Sequence, residues 1–154
     1  MKYLPIILVL EYPAILVLGL LFQGLLQAPV NLDKFLGTRF LLPMLLVMPF
    51  METAIIHSAL TELALKLGRG SRVALYVGVS LSGLVFFALH LLMNGAFNGL
   101  VYGLTGGITL SIMYALARKE GAQRAFFATW MLHLCSNALA VLSMAFYGMA
   151  LGVR

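Results

Sequence analysis

Long apolar runs separated by short polar joints make up nearly the whole chain. A run of roughly 20 apolar residues can cross a bilayer as a helix, and spans can be drawn at residues 3–27, 40–65, 73–93, 97–117 and 125–148. The joints read QAPVNLDKFLGTR, KLGRGSR, MNGAFNG and ARKEGAQR. Each carries the glycine, proline, asparagine or charge that interrupts a helix. The third is the least marked, since Asn94 to Asn98 can extend either neighbouring helix. The pattern predicts an all-α fold, a polytopic membrane helix bundle of about five transmembrane helices. It is expected to form a single integral membrane domain over 1–154, with 1–38 an extra N-terminal span and loop and 39–150 the core bundle.

Composition agrees: 62% of residues are hydrophobic and 10% charged. Lys2 before an apolar segment has the look of a signal peptide, but residues 3–27 exceed a typical h-region and LLQAPV lacks a small-x-small cleavage site. A retained span is expected. The net charge of +5 does not imply nucleic acid, because the ten Lys and Arg are scattered at helix ends rather than gathered in a patch. They serve as topology signals. With the N-terminus inside, Lys2, Lys66, Arg69, Arg72, Arg118, Lys119 and Arg124 are cytoplasmic, and only Lys34, Arg39 and Arg154 are outside. Positive charge is retained on the cytoplasmic side, so a multi-pass cell-membrane protein with its N-terminus in the cytoplasm is expected. The single cysteine, Cys135, excludes an internal disulfide and a cysteine-based zinc cage. Gly95, Gly99, Gly103 and Gly107 recur every four residues and predict a face where a neighbouring backbone comes close.

Against this apolar background a few polar residues need a reason. Ionisable groups inside a membrane helix are expensive and mark functional sites by default. Here they are Glu11, Glu52, His57, His90 and His133, with Asn137 the strongest amide. His133 and Asn137 are four apart and share a helix face, as do Phe86 and His90. Glu52 and His57 are five apart, which on an α-helix separates them by about 140°; Thr53 and His57 do share a face. Glu11 has no motif around it, so a structural or water-exposed role is expected. Asn94 and Asn98 read as loop or cap residues and Cys135 as a small core residue.

Glutamate, then FFALH, then HLCSN, in that order over residues 50–140, resembles the CAAX prenyl protease and bacteriocin-processing (CPBP) family of glutamate-type intramembrane endopeptidases. That family shows Glu-Glu-x-x-x-Arg, Phe-x-x-x-His and His-x-x-x-Asn on successive core helices. The second motif is intact at Phe86 and His90 and the third at His133 and Asn137. The first departs: Glu52 matches, but Thr53 stands at the second glutamate and His57 at the arginine.

The resemblance implies that Glu52 and His90 share and deprotonate a water, while His133 and Asn137 donate hydrogen bonds to the tetrahedral oxyanion. Thr53, His57 and Phe86 are then supporting residues. No cofactor and no metal are implied; zinc, which Glu plus two His could bind, is disfavoured by the lack of an HExxH motif. The implied partners are the lipid bilayer and a peptide or protein substrate cut near its membrane-proximal or C-terminal tail. Two other classes compete: a degenerate family member acting as a bacteriocin immunity or scaffold protein, favoured by the altered first motif, and a small proton-coupled carrier. Depth sets a condition. Glu52 lies about 12 residues, or roughly 18 Å, below the outer end of its helix while His90 lies near the end of its own. Tilt, or a third helix running past residue 93, must bring them together.

Overall fold

A computed structural model describes residues 3–26 and 43–150. Lys2, Lys34, Arg39, Arg154 and the whole of the first predicted joint lie outside the described residues. Those described are almost entirely helical, with no strand among them. α1 is Leu4–Leu26; α2 is the continuous helix of residues 43–67; α3 is Arg72–Asn98; α4 covers residues 99–117; α5 is Ala122–Ala150. Three helical stretches, Leu4–Leu21, Arg72–Glu120 and Ala122–Leu142, are long and apolar enough to cross a membrane. The second span drawn from the sequence is not one of the three.

The 49-residue stretch Arg72–Glu120 is not one rod. Gly95 adopts φ 83° and ψ 172°, a conformation costly for any residue with a Cβ, and α4 folds back along α3. The weakest joint in the sequence is therefore a sharp reversal. Three of the four periodic glycines do form a packing face. A Cβ on Gly99 would meet the Leu91 backbone at 2.5 Å, one on Gly103 the His90 side chain at 2.7 Å, and one on Gly107 the Gly83 carbonyl at 2.6 Å. Gly95 is the exception: it makes the turn, and a Cβ there would meet nothing.

Two more joints are built as their residues dictate. In KLGRGSR, Gly70 takes φ 73° and the Ser71 hydroxyl caps α3 by accepting from the Ala74 amide at 3.2 Å. In ARKEGAQR a short 3₁₀ turn, Arg118–Glu120, leads to Gly121 at φ 114°. The two joints are tied together. The Glu62 carboxylate accepts from the Nε and, at 3.0 Å, the Nη2 of Arg118, and from the Tyr114 hydroxyl at 2.9 Å. Both basic turns thus lie at one end of the bundle and Gly95 at the other. Between them Phe86, Leu110, Met113, Tyr114 and Leu132 fill the core. Leu10, Val73, Leu84 and Leu92 stand exposed on the outside, the inverse of a water-soluble surface.

α2 departs from regular α geometry. Pro43–Val47 and Thr53–Ala59 are π-helical, with α segments Met48–Glu52 and Leu60–Leu67 between and after them. π turns inside a helix shift the phase of every side chain that follows, and this one begins immediately after Glu52.

Candidate active site

The cavity that holds the polar residues has a volume of about 210 Å³ and draws its walls from every helix of the bundle. Glu52 comes from α2, His90 from α3, His133 and Asn137 from α5. These are the residues of three motifs that lie far apart in the chain, and the fold brings them to one space. Glu52 and His90 line this cavity together although α3 reverses at Gly95, just past residue 93. Asn94 and Asn98 line the cavity on the side of the reversal, with the Asn98 amide donating to the Asn94 carbonyl at 3.0 Å.

Phe86 organises the imidazoles. Only 2% exposed, its ring stacks on His90 with centroids 4.2 Å apart, meets His133 edge-on at 5.3 Å and touches His57 at 5.3 Å. All three histidines therefore pack on one aromatic ring. The four-residue step from Phe86 to His90 accounts for the stacked pair; the other two contacts come from α2 and α5.

Hydrogen bonds fix what each ring can do. His90 Nδ1 donates to the Phe86 carbonyl at 3.1 Å, so Nε2 of the neutral ring is left as the acceptor. His133 Nε2 lies 3.2 Å from Glu52 Oε2, and its Nδ1 lies 3.5 Å from the Thr53 hydroxyl. A neutral His133 that donates Nε2–H to the carboxylate presents Nδ1 to accept from Thr53. The result is a chain, Thr53 to His133 to Glu52, that orients the carboxyl at the cavity wall.

Several sequence expectations change. The close partner of Glu52 is His133, where His90 was expected, and this engages one of the two donors assigned to the oxyanion. Thr53 and His57, expected on one face, are both buried and bond to different helices. Thr53 bonds to His133, whereas His57 is fully buried with Nδ1 3.4 Å from the Ser82 hydroxyl. Of the two roles expected for Glu11, structural or water-exposed, the exposed one is excluded. Glu11 is 3% exposed and lines the same cavity. The Ser136 hydroxyl donates to its Oε2 at 2.6 Å and the Thr109 hydroxyl to its Oε1 at 2.9 Å. Its position inside a span was the only signal in the sequence, since its partners lie 98 and 125 residues away.

Among the described residues no group of three or more His, Cys, Asp and Glu is placed to hold a metal ion. Two carboxyls, two imidazoles and an amide line this space of about 210 Å³, groups able to give and take protons. Compared with protein-family profiles, curated proteins and solved structures, the chain matches none, so its function is argued from this geometry and from the motifs that supply it.

Proposed function

We propose that the protein is an intramembrane endopeptidase of the CPBP kind, which hydrolyses a peptide bond of a membrane-associated peptide or protein with a water activated by Glu52 and His90. One observation carries the reading: Glu52, His90, His133 and Asn137, distant in sequence, line one cavity together. A resemblance in motif order alone makes no demand on space. A shared cavity does.

In this mechanism the water lies between the Glu52 carboxylate and the free Nε2 of His90, and Glu52 takes its proton as the oxygen attacks the carbonyl carbon. His133, held by Thr53, keeps Glu52 in the orientation that aims its lone pairs at the water. Asn137 donates to the developing oxyanion, a role in which one donor is typically worth about 10²- to 10³-fold in rate. Phe86 holds the imidazoles at fixed separation. The arms of the α3–α4 hairpin are separate spans in this reading, and with α1, α2 and α5 they make a five-span protein of the cell membrane. The two basic turns at one end support a cytoplasmic N-terminus. The cavity, which reaches Asn94 and Asn98 beside the reversal, then opens toward the outer half of the bilayer.

The test is expression with a panel of membrane-anchored peptides bearing C-terminal tails, comparing wild type with Glu52→Ala and His133→Ala. Loss of processing in both is expected. Processing that survives both substitutions removes the enzyme reading, and activity abolished by a chelator and restored by zinc replaces the glutamate mechanism with a metal one.

A further inference from the structure

Glu11 is the one acidic group of the cavity that the mechanism above leaves without a role. It belongs to α1, outside all three motifs, yet its carboxyl is held from two sides, by Thr109 on α4 and Ser136 on α5. Ser136 is one residue from Asn137 and three from His133, so Glu11 is anchored beside the polar face of α5. Among the described residues it forms no ion pair. An unpaired carboxylate buried in a membrane helix is costly, and the neutral acid far less so. Hydroxyls both donate and accept, and can hold either form.

Amide hydrolysis needs two proton transfers. One activates water; the other must reach the nitrogen, because an amine leaves poorly as an anion. Glu52 and His90 supply the first. Resting on the proposed function, we infer that Glu11 is a second catalytic carboxyl, the acid that protonates the departing amine. The water oxygen bonds to the carbonyl carbon as Glu52 takes one of its protons. Collapse of the tetrahedral intermediate breaks the C–N bond, the electron pair leaves on nitrogen, and the Glu11 proton is transferred to it. Glu52 is then protonated and Glu11 ionised; passage of the proton from Glu52 to Glu11 across the cavity restores both. Water and the amide are consumed, and acid and amine are formed.

Leaving-group chemistry tests this. The panel peptide that wild type cleaves best is remade with the scissile amide replaced by an aryl ester, whose phenoxide departs without a proton. Glu11→Gln should lose about 10²- to 10⁴-fold in kcat on the amide and cleave the ester at close to the wild-type rate. Glu52→Gln should lose both activities. A Glu11→Gln protein with the wild-type melting midpoint that is unimpaired on the amide, or equally slow on both substrates, overturns the assignment. Should Glu11→Gln fail to fold, Glu11→Asp, which keeps the acid but retracts it, is judged by the same amide-to-ester ratio. Full activity of Glu52→Gln on the amide, or no cleavage of any peptide by wild type, instead overturns the endopeptidase reading itself and this inference with it.

Discussion

Two carboxyls on α2, Glu52 and Glu62, stand in opposite surroundings. Glu62 meets Arg118 through two nitrogens and Tyr114 through its hydroxyl, at a joint where both members of the ion pair are about a third exposed. A charge so paired has little left to do but fasten α2 to the end of α4. Glu52 meets only His133 at 3.2 Å, faces a cavity and forms no contact with Lys or Arg among the described residues. Under the proposed function this contrast separates a fastening carboxyl from a reacting one. A guanidinium locks its partner as an anion, whereas an imidazole can exchange a proton with it.

Substitutions can break or sharpen this comparison. The largest effect is expected at Glu52: Glu52→Gln should lower cleavage of a panel peptide by about 10²- to 10⁴-fold with little change in thermal stability, while Glu62→Gln should leave cleavage near wild type. Equal losses of activity in the two variants would erase the distinction. Asn137→Ala should cost about 10²- to 10³-fold in kcat with KM nearly unchanged, as for an oxyanion donor. Gly103→Ala places a methyl 2.7 Å from the His90 side chain, and should lower activity by displacing that ring although it changes no polar group. Gly99→Ala, which crowds Leu91 instead, is its control in a melting assay. His57→Ala should weaken activity without abolishing it, because His57 touches Phe86 but does not reach the cavity. The smallest effect falls on the structural pair. Glu62→Gln is expected to cost on the order of 1 kcal/mol or less, the range for a solvent-accessible ion pair, seen as a small drop in the unfolding midpoint.

Much of this was readable from the chain alone, for local reasons. Pairs four apart on a regular helix share a face, so Phe86 with His90 and His133 with Asn137 could be named without coordinates. Glycine and polar joints stop helices wherever they fall, which located the turns at 68–71 and 118–121. Thr53 and His57 share the four-residue spacing as well, but the partners they bond to, His133 and Ser82, sit on other helices and could not be read from TAIIHSA. Gly95 was counted both in the joint MNGAFNG and in the four-residue stripe, and the fold keeps it only in the first role.

The run of apolar residues, the joints and the motif order are properties of neighbours in sequence, and they are enough to determine an all-helical chain with its polar groups in a few known places. Which polar groups meet is decided by the rotation, depth and phase of one helix against another. Only packing sets those. Side-chain contacts such as Gly103 on His90, and bonds such as Ser136 to Glu11, join residues that no local pattern relates. For this reason Glu52 could be singled out in the sequence as a candidate, while its contact with His133 and the arrival of Glu11 in the same cavity belong to the tertiary structure.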